Sequence, residues 1–405
     1  MVGRAVRWLS IGALLLVASA QAWAQPVPSR VVAIGDVHGA AGSLAALLEH
    51  AGLIDAGRHW SGGRATLVQT GDILDRGPHV RAVLDLLMRL ETEAGAVGGR
   101  VEVLLGNHET MTLTANVQDV TPAILGSFVT AASAERRAAA YREYVAYAET
   151  RRQALGHQMP GYQTRDAWMA AHPLGFVEYL DAFGPVGLYG RWLRAKPVAV
   201  TLGDTIFLHG GLSLDSEATS AAEMVARAQA EIARFDAHRR HLIERRVIVE
   251  TATFPEMLAA VAHELDAWVT RLFPGPPAPG VPPPALTPDD REHLDVLIAL
   301  RSLDEWSVFA SDGPVWSRDF ARWSEHDGAA AVATVLDRVG VRRAVVGHTV
   351  TPTRRITSRF GGRVYLIDTG MLANVYHGRP SALELSGDEA TAIYLDERRA
   401  LDAGQ

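Results

Sequence analysis

The chain has no cysteine. That excludes disulfides, zinc–thiolate sites, iron–sulfur ligation and cysteine nucleophiles together. Any metal must be held by His, Asp, Glu or Asn. An excess of positive charge is also missing: Lys and Arg total 39 against 46 acids, a formal net charge of −7. That balance argues against a general nucleic-acid coat, and no nucleic-acid partner is expected. Long apolar runs are missing too, except at the start. What remains is an ordinary globular balance, 48% hydrophobic and 21% charged over 405 residues. A disordered or collagen-like chain is excluded, and the length suits two average domains or one large one with insertions.

The one apolar run reads as a targeting segment. Arg4 and Arg7 form a basic region, Trp8 to Ala20 is apolar, and Ala22-Trp23-Ala24 is a small-x-small cleavage signal before Gln25. This is the pattern of a secretory signal peptide over 1–24. The run is short for a membrane helix of about 20 residues. Cleavage takes two positive charges from −7 and leaves −9. The expected mature chain, 25–405, is exported, periplasmic or secreted, with no stable membrane insertion after cleavage.

Short β-rich apolar runs, most of them closed by glycine and polar residues, predict strands at Val31–Ile34, Ala65–Gln69, Val101–Leu105, Val198–Leu202, Thr205–Leu208, Ala344–Val346, Val364–Ile367, Ala382–Leu385 and Ala392–Leu395. Leu44–Ala51 and Val80–Leu90 read as amphipathic helices between the first strands. That alternation predicts an α/β domain, a sheet covered by helices. Two helical insertions interrupt it, at about 122–194 and 220–310, with Ala134–Leu155 the most clearly helical part. They are expected to form a cap or rim. Phe273 to Pro288 is proline-rich and predicts an extended loop, a spacer or a lid.

Five polar clusters follow predicted strands: Gly35-Asp36-Val37-His38-Gly39, Gly71-Asp72-Ile73-Leu74-Asp75-Arg76-Gly77, Gly106-Asn107-His108-Glu109, His209-Gly210-Gly211 and Gly347-His348-Thr349. Any one alone is a weak sign, since a turn or a capped loop histidine looks the same. All five in order are not. In an open α/β sheet, ligands bind beyond the carboxyl ends of the strands. Asp36, His38, Asp72, Asn107, His209 and His348 would then meet at one place. Carboxylate, imidazole and amide oxygen without sulfur suit divalent first-row ions such as Mn, Fe or Zn. Six ligands exceed the need of one catalytic zinc. One bridging carboxylate would make a metal pair about 4 Å apart, the arrangement that clamps an in-line displacement at phosphorus. Asp36 and His38, two apart, would point the same way in extended chain; the neighbours Asn107 and His108 would point opposite ways. Asp236–Arg246, with His238 and His241, reads as a solvated helix face against a substrate-docking one.

These clusters resemble the calcineurin-like metallophosphoesterases, and the Asp-Arg-Gly and Asn-His-Glu forms resemble their phosphoprotein phosphatase branch. His172–Tyr179 with Ala182–Pro185, and Ile367–Met371 with Gly378–Leu383, are similar to the Shewanella-like phosphatases. Gly313–Arg318 resembles that group's segment bearing a phosphate-clamping arginine, with Ser317 where an aromatic is expected. The resemblance implies an α+β sandwich, β-sheet layers flanked by helices. It implies that Asp36 and His38 hold a first metal, Asp72 bridges, and Asn107, His209 and His348 hold the second. It implies His108 as general acid oriented by Asp75, and Arg76 and Arg318 on the phosphoryl oxygens. The implied reaction is phosphomonoester hydrolysis by in-line attack of a metal-bridging hydroxide. The substrate would be a phosphoprotein, on tyrosine or on serine and threonine. The alternative is a small phosphoester, as for a nucleotidase or a diadenosine-polyphosphate hydrolase. Tyr376 and Trp316 are candidates for substrate-slot walls or for core packing.

Overall fold

A computed structural model describes residues 30–155, 161–272 and 285–401. The expected leader at 1–24 and residues 273–284 of the proline-rich stretch lie outside the described residues. Residues 285–287 are loop, but Pro288 is not: it opens a helix capped by the Thr287 hydroxyl. Proline suits that first helical position, where its missing N–H costs nothing.

The strands form two sheets rather than one open sheet. The first runs in the order β11-β10-β9-β1-β2-β3. Its strands are β1 (Val31–Ile34), β2 (Thr66–Gln69), β3 (Arg100–Val103), β9 (Ser381–Ser386), β10 (Glu389–Tyr394) and β11 (Arg398–Ala400). The second runs β4-β5-β6-β8-β7. It comprises β4 (Ala199–Leu202), β5 (Thr205–Leu208), β6 (Arg343–Val346), β7 (Thr357–Arg359) and β8 (Val364–Leu366). Within them β1, β2 and β3 are parallel, as are β5, β6 and β8.

The period of two explains why β1 is apolar throughout. Val31 and Ala33 face a core shared with Phe207 and Val345 of the other sheet, while Val32 and Ile34 face the helices. A strand covered on both faces has no polar side to alternate with. The helices over the first sheet are α1 (Ala41–His50) and α2 (Val80–Ala96); α13 (Gly328–Arg338) covers the second. Short helices α3 (Asn107–Leu113), α12 (Asp319–Arg322) and α14 (Ala373–Tyr376) sit at strand ends and loops.

Between α3 and β4 lie α4 (Pro122–Gly126), α5 (Ser133–Leu155), α6 (Arg165–Ala171), α7 (Phe176–Phe183) and α8 (Leu188–Arg194). Between β5 and α12 lie α9 (Ala221–Glu244), α10 (Phe254–Leu272) and α11 (Pro288–Arg301). The last three build a core of their own around Phe235, Met257, Val261, Trp268 and Leu297. Helix α9 joins the two cores. Met224, Ala228 and Ile232 pack on the sandwich, Phe235 and Leu242 on the separate core.

The 236–246 segment is a solvated face only in part: Ala237, Arg240, Glu244 and Arg246 are exposed, and the rest is taken up by neighbours. Asp236 holds Arg194 at 2.7 and 2.9 Å, Arg239 donates to the carbonyls of Glu250 and Ala252, and Arg245 pairs with Asp289. His241 Nε2 meets His293 Nδ1 of α11 at 3.0 Å. Helical periodicity showed the charges but not the neighbours that take them up.

Candidate active site

All five clusters converge, and they come from both sheets. β1, β2 and β3 lead into Asp36, Asp72 and Asn107; β5 and β6 lead into His209 and His348. The centre therefore sits on the seam of the sandwich. The backbone there is held in an uncommon form. His38, Asp72, Asp75, Arg76 and His348 all have φ between 45° and 65°, a left-handed region that non-glycine residues seldom occupy. His38 is thus not in extended chain, and neither are Asn107 and His108. Those two open helix α3. The turn of the helix, not strand alternation, sends them to different partners. Glycine is required where the loops touch. A Cβ on Gly106 would meet Asp72 Oδ1 at 2.3 Å, and one on Gly347 would meet Asp36 Oδ1 at 2.5 Å.

Three imidazoles are fixed in tautomer by backbone carbonyls. His38 donates Nδ1–H to the Leu74 carbonyl at 2.8 Å, and His209 donates Nδ1–H to Thr70 at 2.9 Å. His348 donates Nε2–H to the Trp316 carbonyl at 3.0 Å. Each ring is left with one lone pair, and each lone pair points inward. His209 Nε2 lies 3.1 Å from His348 Nδ1, 3.0 Å from Asn107 Oδ1 and 3.3 Å from Asp72 Oδ2. His38 Nε2 lies 3.7 Å from Asp72 Oδ2 and 3.9 Å from Asp36 Oδ2. Burial pushes His38 down to about 3 and His348 down to about 2, so both rings are neutral ligands.

Acceptors facing acceptors at hydrogen-bond distance need a cation between them. Two trios have the spacing for one, His38–Asp72–His108 and Asp72–His209–His348, and Asp72 belongs to both. The donor set of imidazole, carboxylate and amide oxygen fits a pair of divalent first-row ions. Burial would raise Asp72, but the His209 and His108 imidazoles outweigh it and hold the carboxyl well below the usual range. Burial and the Asp368 carboxylate raise Asp36.

His108 donates Nδ1–H to Asp75 Oδ2 at 2.8 Å. Burial alone would lower His108; the Asp72 carboxylate and the bond to Asp75 outweigh it and lift the ring to about 9. Burial raises Asp75 while the His108 bond pulls it down. We place the shared proton on His108. Arg76 lies at the rim, its guanidinium 3.5 Å from His38 Nε2 and 3.7 Å from Asp119 Oδ2. Arg318 donates to the His348 carbonyl at 2.9 Å and to Thr349 Oγ1 at 3.0 Å. The ring of Tyr376 lies 5.5 Å from that of His38 and from the Arg76 guanidinium, at the site. Trp316 packs against the main core and donates Nε1–H to Val308.

Three acids at the site carried no role in the sequence reading. Glu109 accepts from the N–H groups of Asp72, Ile73, Leu74 and Gly106 at 2.7, 2.9, 3.2 and 2.8 Å. Burial raises its carboxyl to about 7, yet four donors demand acceptor oxygens, and we take it as ionised. Asp368 follows β8 and is buried beside Asp36; burial and the Asp72 carboxylate raise it to about 6, while the hydrogen bonds from Gly370 and with Asp36 pull it down. Its sequence signal was weak: an acid between a strand and a glycine, as in the other clusters, but alone. Asp119, from the loop after α3, had no such signal.

A family model described as calcineurin-like phosphoesterase matches residues 29–241. The chain belongs to that family. It is a phosphoesterase, a hydrolase of phosphoric esters, in a family that uses a divalent metal pair. It is similar to Shewanella-like protein phosphatase 2 of Arabidopsis thaliana, 24% identical over 90% of this chain and 77% of that protein. It is also similar to Shewanella-like protein phosphatase 1 of Plasmodium berghei, 23% identical over 90% and 74%. Among solved structures, a cold-active protein-tyrosine phosphatase of a psychrophilic Shewanella shares the fold. Its TM-score is 0.57 and its identity 23%, over 92% of this chain and 80% of that one. The sandwich flanked by helices is thus the phosphoesterase fold, as the motif resemblance implied.

Proposed function

We propose that this phosphoesterase is an exported, dimetal-dependent phosphomonoesterase acting on phosphoproteins. The observation that carries the metal assignment is Asp72, whose Oδ2 lies 3.7 Å from His38 Nε2 and 3.3 Å from His209 Nε2 and so belongs to two groups with the spacing for an ion. Asp36 and His38 hold one ion with Asp72; Asn107, His209 and His348 hold the other. Manganese, iron or zinc suits these ligands. When bound, the pair supplies Lewis acidity and lowers the pKa of water at the centre to about 7.

The chain's own residues do the rest. Arg76 and Arg318 grip the phosphoryl oxygens; guanidinium forks match phosphate and stay charged. Water attacks phosphorus in line, and the bond to the leaving oxygen breaks. That oxygen takes the Nε2 proton of His108, and Asp75 stabilises the ring through Nδ1. The names of the relatives support a protein substrate. The signal-like start of the sequence supports export, and among the described residues no helix is long and apolar enough to cross a membrane.

The test is phosphate release by manganese-loaded protein from a phosphotyrosine and a phosphothreonine peptide of matched sequence. Tyrosine preference supports a deep slot, and threonine preference a shallow one. Cleavage of nitrophenyl phosphate with neither peptide cleaved moves the protein to small phosphoesters. Mass analysis of the exported chain, expected to begin at Gln25, tests the leader.

A further inference from the structure

One residue holds Arg76 in two ways. The Arg76 backbone N–H donates to the Asp119 carbonyl at 3.1 Å, and its guanidinium Nη2 lies 3.7 Å from Asp119 Oδ2. Both side chains are 32% exposed, so the pair stands where a ligand can reach it. Asp75 and Arg76 have φ of 64° and 63°, a left-handed form that persists only where neighbours hold it. The Asp119 carbonyl is one such support. The guanidinium also lies 3.5 Å from His38 Nε2 and 5.5 Å from the Tyr376 ring. Among the described residues, Asp119 is the one acid in an ion pair with it.

Asp119 sits on the 114–121 connection between α3 and α4. That connection is anchored along its length. Val117 and Val120 pack on the main core, the Asn116 N–H donates to the Met111 carbonyl at 2.9 Å, and the Thr121 hydroxyl caps α4. From the second insertion, the Phe254 N–H donates to the Ala115 carbonyl at 2.9 Å. A carboxylate on a fixed support can keep a flexible arginine in one place.

A carboxylate at the rim of a phosphate site needs a reason to be there, because by itself it repels the ligand. His108 does not supply one. Its Nδ1 lies 3.9 Å from Asp119 Oδ2, but that N–H is already donated to Asp75 at 2.8 Å. Arg76 does supply one. A free arginine loses rotamer freedom when it grips a ligand, and one already held loses less.

We propose that Asp119 is a positioning residue, which fixes the Arg76 guanidinium for the phosphoryl group before substrate arrives. Asp119 has this role only if Arg76 grips phosphate, as proposed above. It then acts on affinity for the phosphoryl group and not on proton transfer to the leaving oxygen.

Calorimetry with inorganic phosphate on manganese-loaded protein reads the grip. Hydrolysis of nitrophenyl and alkyl phosphates reads turnover. Arg76→Ala should weaken phosphate about 10–100-fold. Asp119→Asn keeps the shape and removes the charge. It should weaken phosphate about 2–5-fold and raise KM on both substrates alike, more than it lowers kcat. Asp119→Glu should recover most of that loss. In an Arg76→Ala background, Asp119→Asn should cause no further weakening. Tighter phosphate binding by Asp119→Asn would mean plain repulsion and overturn the proposal. So would a loss that persists in the Arg76→Ala background, or one confined to kcat on alkyl phosphates, which would assign Asp119 to His108. If Arg76→Ala itself leaves phosphate binding unchanged, the grip falls and this role falls with it.

Discussion

Histidine is used in two opposite ways in this molecule. At the strand ends, His38, His209 and His348 each give one ring nitrogen to a backbone carbonyl and turn the other toward a common point. In the second insertion, His241 Nε2 meets His293 Nδ1, and His293 Nε2 faces Glu264, which Arg151 of α5 also holds. One set is open, acceptors that face one another with only the Arg76 guanidinium near, 3.5 Å from His38 Nε2. The other is closed, and it ties α5, α9, α10 and α11 together. Both are partly or fully buried histidine clusters, so burial and residue type do not separate a site from a strut. Unspent lone pairs do.

The largest expected effect tests the open set at its shared member. Asp72→Asn should reduce bound metal from two ions to one or none. It should cost more activity than the ~10²-fold typical of a group merely supporting a ligand. Metal analysis beside phosphate release measures both; full loading with full activity would end the bridging role. His108→Asn comes next, with a loss of about 10²–10⁴ on alkyl phosphates and a smaller one on nitrophenyl phosphate, whose leaving group hardly needs a proton. Equal losses would count against the acid. An acid works protonated, so alkyl-phosphate turnover should fall as pH rises through the His108 pKa. That value is about 9 without metal. Cations on Asp72 offset the carboxylate that lifts it, so the loaded protein should lose activity at lower pH. The pH–rate profiles of wild type and His108→Asn check this.

Glu109→Gln should cost less, about 10–100-fold in metal affinity, because an amide offers one acceptor oxygen to a group of four N–H donors. Metal titration reads it. The smallest effect belongs to the closed set. The His293 hydrogen bond and Arg151 hold Glu264 down to about 2, from an ordinary 4.5. Its stabilising contribution is therefore present above pH 4.5 and is lost as pH falls through about 2. Urea midpoints at pH 6 and pH 3 should differ more in the wild type than in Glu264→Gln. Turnover of nitrophenyl phosphate by Glu264→Gln at neutral pH should match the wild type. An equal pH response would show the network contributes nothing.

Much of this was legible from sequence where the chain is tightly punctuated. β1 and β5 fall on their expected residues because glycine or polar turns close four-residue apolar runs. β7 and β11 were not legible: each has three residues, two of them arginine in β11, with no apolar pattern. Periodicity alone did not give the number of sheets, because a strand buried on both faces reads alike under helices or under another sheet; the motif resemblance supplied the layered sandwich. Each expected ligand lies at the centre, yet the way it gets there differs. A left-handed φ at His38 or Asp72 leaves no periodic trace, although flanking Gly35, Gly71 and Gly106 hint at crowding. Asp368 lies in the Ile367–Met371 segment, but a lone acid after a strand, with no histidine or second polar ligand beside it, carries no mark of the centre.

The seam also sets an order of events. Asp36, His38, Asp72, Asn107 and His209 lie in the first 209 residues, and His348 arrives only with β6, which pairs between β5 and β8. A chain emerging N-terminus first carries most of its coordination set long before it can close it. Under the proposed assignment, capture of the ion that His348 would share becomes a late checkpoint in biogenesis, reached when the C-terminal strands dock, and a truncated product would be caught as metal-poor rather than merely slow.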